Sequence, residues 1–294
     1  MKTQFKNIAI FGKKNSSLVD DLKKIKNIVE EMGATPLLEE STAAKLNCGK
    51  GLSLREIGEQ ANLAIVFGGD GTMLGISRRL ARFNFPFIGI NAGHLGFITD
   101  ISADNYEIQL KSILAGNYVL DSRLILSAEL QRNGQTIFRS IALNDIVISR
   151  GISGGMIEST ISVNDLPMSV QRADGLIVST PTGSTAYALS VGGPIVHPTI
   201  QGMIMVPVAP HTLTNRPIIL PADSKIEIII SNIRDGALYY DMQEEVEIRQ
   251  FDKVVITKYP HSVHFMHPEG SNYYETLRHK LHWNYMPTTL SGDN

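Results

Sequence analysis

The spacing of apolar residues changes near residue 120, and the chain divides there into two kinds of structure. Before that point, short apolar runs alternate with segments whose apolar residues recur every three or four positions. Such alternation predicts strands and helices in turn. "NIAIFG", from Asn7, reads as a strand. "SSLVDDLKKIKNIVEEMG" places Leu18, Leu22, Ile25, Val29 and Met32 on one helical face, with a serine at its start and Gly33 at its end. "LAIVF" and "PFIGI" read as further strands, with "TMLGISRRLARF" as the helix between them. A helix near residues 104–115 closes this part.

From Arg123 the period is that of strands. "RLILSAELQRNGQTIFRSIAL" is a pair of strand-like runs around Asn133-Gly134, a strong hairpin signal. "MIESTISVNDLPMSVQ" reads as a second hairpin turning at Asn164-Asp165, and "SKIEIIIS", "GALYYDMQ" and "DKVVITKY" continue the series. "NYYETLRHKLHW" returns to helical spacing. The expected fold is an α/β N-terminal domain over residues 1–120, with a Rossmann-like parallel sheet, and a mostly β C-terminal domain over residues 121–270. A helical tail, residues 271–294, is expected to pack back on the N-terminal domain.

Composition narrows the function classes. The 294 residues are 43% hydrophobic and 19% charged, an ordinary globular balance, and the length suits two domains. A net charge of −2 supplies no global field for nucleic acid or an anionic membrane, so neither is an expected partner. Cys48, the single cysteine, rules out an intramolecular disulfide and any multi-cysteine metal site, and reads as a small loop or core residue. "MKTQFKNIAIFGKK" lacks the apolar region and cleavage site of a signal peptide. No run approaches the ~18 apolar residues of a membrane span, and the cytoplasm is the expected compartment.

Gly68-Gly69-Asp70-Gly71-Thr72 follows a strand and opens a helical pattern. Glycines at such a junction let backbone N–H groups and the helix N-terminus approach phosphate oxygens. A carboxylate repels phosphate, so Asp70 needs a task of its own. It either accepts a proton from an attacking hydroxyl or ligates a magnesium ion bridging phosphates, and both point to phosphoryl transfer. A tight turn that uses glycine for positive φ is the plainer alternative. Gly69, Gly71 and Gly75 form G-x-G-x-x-x-G, a near miss to the dinucleotide fingerprint, but the next strand ends in Asn91 where that motif expects an acid. No G-x-x-x-x-G-K-[ST] occurs, which excludes a P-loop nucleotidase. "NAGHLGFITD" adds a second glycine-rich turn at the neighbouring strand end, where both loops face one crevice of a parallel sheet. His94 lies in it, although a lone loop histidine is more often only solvated.

A second unusual segment is "RADGLIVSTPTGSTAYALSVGGPIVHP", which gathers Ser179, Thr180, Thr182, Ser184 and Thr185 around Pro181 and Gly183. A polar turn with Ser/Thr helix caps is one reading. Delivery by the apolar strand "GLIV" favours another, in which hydroxyl and backbone donors receive ribose hydroxyls and pyrophosphate. Asp174 and Asn144-Asp145 offer carboxylates and an amide suited to sugar diols and adenine edges. Gly151-Ile-Ser153-Gly-Gly155 fits the G-x-S-x-G nucleophile elbow, but it lies between strand-like runs rather than at a strand-to-helix turn, and is read as a loop.

Together these segments resemble the NAD kinase family. The resemblance runs through Gly68 to Thr72, Asn91 to Phe97, "ALNDIV", "DGLIVSTPTGSTAYALSVGGPI" and "PHTLTNRPI", in order and over nearly the whole chain. The glycine-aspartate loop alone is shared with diacylglycerol and sphingosine kinases, and the Thr-Pro-Thr-Gly-Ser-Thr-Ala-Tyr run is what separates the families. The resemblance implies that NAD binds between the two domains and is phosphorylated on the 2′-hydroxyl of its adenosine ribose to give NADP. It implies ATP, or inorganic polyphosphate, as donor with a divalent metal ion, magnesium, and a homodimer or homotetramer joined by the β-rich domains. It makes Asp70 the general base and sets Gly71 against the donor phosphates. Asn144 and Asp145 would hold the adenosine portion, with Thr185, Ala186, Tyr187 and Ser190 lining its pocket. Asp174 and His211 would lie on the same cleft. Lys13, Lys14, Arg172 and Arg216 are candidates for phosphate contacts, with a solvated surface charge the plainer alternative for each, and no residue is assigned as a metal ligand.

Two positions depart from the family pattern. Asn144-Asp145 replaces the usual Asn-Glu, which shortens the carboxylate's reach by one methylene. Asp241-Met242-Gln243 replaces Asp-Gly-Gln, at a cost if that turn needs positive φ. An NAD-dependent oxidoreductase, a lipid kinase and a non-catalytic dinucleotide sensor are the rival readings. The charge of Asp70 disfavours the sensor.

Overall fold

The computed structural model describes residues 2–13, 18–93 and 96–283, so Lys14, the serines before the first helix and His94 lie outside the described residues. In chain order the first elements are β1 (Asn7–Gly12), α1 (Val19–Glu31), β2 (Thr35–Leu38), α2 (Glu40–Leu46), α3 (Leu54–Gln60) and β3 (Leu63–Gly68). They are followed by α4 (Asp70–Leu80), β4 (Phe87–Asn91), β5 (Ile101–Ser102), α5 (Tyr106–Leu114) and β6 (Tyr118–Arg123). Next come β7 (Leu126–Arg132), β8 (Gln135–Ala142), β9 (Asp145–Arg150), β10 (Ile157–Val163), β11 (Leu166–Ala173) and β12 (Gly175–Ser179). A 3-10 turn (Thr182–Thr185) leads into α6 (Tyr187–Ser190) and then β13 (Gly202–Val208), β14 (Ile218–Pro221), β15 (Ile226–Asn232) and β16 (Gly236–Tyr240). The chain ends through β17 (Glu244–Glu247), β18 (Lys253–Lys258), β19 (Val263–Pro268) and α7 (Tyr273–Leu281). Two compact units result, one from Met1–Asp121 with His264–Asn294, the other from Ser122–Val263.

The first unit is built on a sheet of order β2-β1-β3-β4-β19-β6, with β5 also paired to β4. The pairs among β1 to β5, and β4 with β19, are parallel. All residues of β3 and β4 are buried, as expected of strands covered on both faces. Leu22, Ile25 and Val29 of α1 pack with Ile8, Ile10 and Ile65 of the sheet, and Gly33 ends that helix at φ +81°. Sequence periodicity extended the β-rich half to residue 270, yet β19 joins this sheet, with Phe265 beside Phe87. The reason is tertiary: β19 completes a parallel sheet begun far upstream, which no local period reveals. Leu277 of α7 is buried, and the helix belongs to the same unit.

The second unit holds two six-stranded sheets, β11-β10-β15-β18-β7-β8 and β14-β13-β12-β9-β16-β17. Ile146, Ile148, Leu176, Val178, Leu238 and Tyr240 of one sheet meet Leu126, Ala128, Ile228, Val254 and Ile256 of the other in one core. Alternate residues Val147, Ile177, Ile204 and Val206 face the opposite side, where Tyr187, Ala188 and Val196 cover them. Burial on both faces explains why β9, β12 and β13 read as continuous apolar runs. Both anticipated hairpins form: Asn133 and Gly134, then Asn164 and Asp165, take positive φ between strands paired directly around them.

Candidate functional site

Gly68 lies opposite Asn91 in the β3–β4 register, so the glycine loop and the 91–99 turn leave adjacent strand ends. Helix α4 begins at Asp70 itself, with Gly69 as the N-cap, rather than at Thr72 as periodicity suggested. Asp70 is half-buried and clamped by the second turn. Its Oδ1 accepts the N–H of Ile98 and of Thr99, each at 3.1 Å, and the Thr99 hydroxyl at 2.9 Å. Among the described residues its Oδ2 accepts only the Phe97 N–H, at 2.7 Å. Among the described residues, therefore, one Oδ2 lone pair is left for an incoming hydrogen. The turn is itself held by Asn91, whose side chain donates to the Thr99 hydroxyl at 2.9 Å and accepts the Gly93 N–H at 2.7 Å. A Cβ on Gly96 would overlap Asp70 Oδ1 and the Thr99 hydroxyl.

Gly69 and Gly71 behave differently. Neither has positive φ, and a Cβ on either would meet nothing within 4 Å among the described residues. Glycine in a helix costs up to about 1 kcal/mol relative to alanine, and no described atom lies where a Gly71 side chain would stand. Open space beside bare backbone at a helix N-terminus suits phosphate oxygens. Lys13, exposed, follows β1, and its backbone N–H bonds Phe67 at the end of β3.

In the second unit, the start of β9, the end of β12 and the end of β16 share one edge of their sheet, with Ser179 opposite Asp145 and Tyr240 opposite Ile146. The Asp241 carboxylate accepts the N–H groups of Leu143, Asn144 and Asp145 at 3.0, 2.7 and 3.1 Å. Asp241 and Met242 both sit at φ +52°, so the turn does need the left-handed conformation that glycine favours. Asp145 is buried and, among the described residues, its Oδ1 has no hydrogen-bond partner. Burial, and then the negative charge of Asp241, push its carboxyl up to about 7. The Asn144 side-chain amide also makes no hydrogen bond among the described residues. An orphaned buried acid beside a free amide calls for a ligand with hydroxyl groups.

The hydroxyl-rich segment needs correcting. Ser179, Thr180 and Ser184 are fully buried and bond the protein: Thr180 to the Leu143 carbonyl at 2.6 Å, Ser179 to Asn144 at 3.1 Å, and Ser184 to Pro181 at 2.7 Å. They staple the 3-10 turn to Leu143 and Asn144 and offer no donors to a ligand. Thr182 accepts from the buried Arg123 at 3.2 Å. Gly183 is required because its Cβ would overlap the Asn144 carbonyl. Thr185, Ala186 and Tyr187 stay partly accessible at this sheet edge, and Ser190 is exposed. Where Ser/Thr caps would open a helix, the chain forms only the 3-10 turn and the single turn α6.

Asp174 is not brought to this edge. It precedes β12, roughly 17 Å along the strand from Ser179 at ~3.3 Å per residue, and pairs with Arg150 at 2.8 Å. Arg172 pairs with Glu158 at 3.2 Å, and its carbonyl accepts the His211 N–H at 2.9 Å, so these two stay near Asp174. Arg216 spends Nη1 on the carbonyls of Leu213 and Asn215. Ser153 gives its hydroxyl and N–H to Asp235, which lowers that carboxyl, and Gly151 to Gly155 form a loop between β9 and β10.

Residues 16–118 match the model of the ATP-NAD kinase N-terminal domain, and residues 143–268 that of the ATP-NAD kinase C-terminal domain. The "NAD kinase" of Nitrosospira multiformis is 44% identical over 290 residues, covering 98% of this chain and 99% of that protein. Among solved structures, an NAD kinase from Archaeoglobus fulgidus in complex with ATP has a TM-score of 0.74 at 26% identity, over 94% of this chain and 98% of that one. Yeast NADH kinase complexed with NADH shares the fold, with a TM-score of 0.85 at 20% identity, over 96% of this chain and 88% of that one.

Proposed function

The chain belongs to the NAD kinase family, and we propose that it transfers the γ-phosphoryl group of ATP to the 2′-hydroxyl of the adenosine ribose of NAD. The products are NADP and ADP. One observation carries the assignment of the chemistry: a carboxylate clamped by four donors, with one Oδ2 lone pair left among the described residues, between glycines whose Cβ positions face open space there. As the ribose oxygen bonds to the γ-phosphorus, its proton passes to Asp70 Oδ2 and the bond to the β-phosphate oxygen breaks. The backbone at Gly69 and Gly71, with Lys13, receives the donor phosphates. Asn144, Asp145, Thr185, Ala186, Tyr187 and Ser190 form the adenosine pocket, and the orphaned Asp145 Oδ1 supports a hydroxyl ligand there.

A divalent ion, magnesium by its hard-oxygen chemistry, neutralises phosphate charge when bound. Among the described residues no three His, Cys, Asp or Glu side chains converge as ligands, so phosphate oxygens and water would hold it. Polyphosphate offers the same linkage and is a second donor to test. Val170 and Ile229, 76% and 42% exposed and aligned through Thr160 on one sheet, support a homo-oligomer joined through the second unit. Among the described residues no helix is long and apolar enough to cross a membrane, which supports a cytoplasmic enzyme.

The test is direct. The purified protein with NAD, ATP and magnesium should yield NADP by mass spectrometry. Folded protein that binds NAD but makes no NADP with either ATP or polyphosphate contradicts the proposal.

A further inference from the structure

Strand β3 occupies one edge of β4, and the other edge is shared by β19, at Phe87, and β5, at Ile90 and Asn91. The end of β19 therefore meets the residue just before β5. There His267, 8% exposed, places Nδ1 2.9 Å from Asp100 Oδ2. A carboxylate has no proton to give, so Nδ1–H donates. Ser271 donates to the same oxygen at 3.1 Å, and the other ring nitrogen lies 3.6 Å from Asp121 Oδ2. Asp100 directly follows Thr99, which contributes two of the four donors on Asp70.

We propose that His267 is a positioning residue: through Asp100 it fixes the Phe97–Thr99 turn whose donors aim the Asp70 carboxylate. The inference rests on Asp70 being the base. From β4 the turn is held by Asn91, and from β19 by His267. Releasing the second anchor leaves Asp100 only the Ser271 hydroxyl on that side, so the three N–H groups of the turn can drift from Asp70. Chemistry should suffer more than substrate binding, because His267 is buried and is not among the residues proposed to receive either nucleotide.

Two variants separate the ring nitrogens. His267→Asn keeps a donor where Nδ1 stands, and His267→Gln keeps one where Nε2 stands. For His267→Gln, kcat should fall about tenfold with KM for NAD and ATP within about twofold. Amide hydrogen exchange at Phe97, Ile98 and Thr99 should quicken by about tenfold. His267→Asn should recover most of both losses. If His267→Gln does not fold, Asp100→Ala, which leaves His267 its Asp121 neighbour, should show the same two effects. Native exchange and native kcat in folded His267→Gln overturn the proposal, as does an Asn variant as impaired as Gln, or failure of both His267→Gln and Asp100→Ala to fold. Faster exchange with unchanged kcat keeps the anchor and instead removes Asp70 from the chemistry.

Discussion

Thr99 gives both its N–H and its hydroxyl to one oxygen of Asp70, at 3.1 and 2.9 Å. The hydroxyl also accepts from Asn91, so a side chain at the end of one strand is tied to the first residue of the helix after its neighbour. Thr99→Val removes that link and keeps the N–H. A lost hydrogen bond to a charged group is worth about 1.5–3 kcal/mol, so kcat should fall at least about tenfold with KM nearly unchanged. Steady-state kinetics with each substrate varied would check it.

Gly96→Ala is a steric test of the same clamp. The added methyl overlaps Asp70 Oδ1 and the Thr99 hydroxyl, and the buried turn must shift. Activity should drop by more than about a hundredfold. Gly71→Ala is the contrast, since its methyl meets nothing within 4 Å among the described residues. That variant should hold or raise the thermal midpoint while weakening ATP, read as a higher KM.

How much of this was legible in the sequence depends on range. Asn133-Gly134 and Asn164-Asp165 announce their turns locally, and the apolar runs of β1, β3 and β4 announce buried parallel strands. The four-residue β2 and seven-residue α2 and α3 are too short for a period to stand out. Ser179, Thr180 and Ser184 misled because a hydroxyl's partner is set by tertiary contacts, here carbonyls of residues 143, 144 and 181. The Asp241 cradle was equally hidden. Only the adjacent Met242, in place of a glycine, hinted at a turn with special backbone.

Asp145 carries a pH signature. Its carboxyl titrates near 7 in the folded protein, against about 3.9 unfolded. The folded state thus binds the proton more tightly, and this contribution is fully present below about pH 4 and is lost as pH rises through 7. Asp145→Asn should remove the decline. Relative to wild type, the variant should gain on the order of a few kcal/mol between pH 4 and 8, measured by denaturant unfolding across pH. Parallel pH profiles would contradict it.

Met242 is 56% exposed and held at φ +52°. Glycine removes the left-handed strain, worth roughly 1–2 kcal/mol, less its greater unfolded entropy. Met242→Gly should therefore raise the thermal midpoint by a few degrees, with no change in KM for NAD. Calorimetry checks the first part and kinetics the second.

The most direct measurement compares NADP formation by the wild type and Asp70→Asn. The amide keeps the shape, cannot take the ribose proton, and must turn its NH2 toward at least one N–H of the turn. Wild type should make NADP from NAD and ATP. The variant should fold and bind NAD, with kcat down by about a hundredfold or more. A folded variant that turns over at the wild-type rate would contradict the assignment of Asp70 as the base.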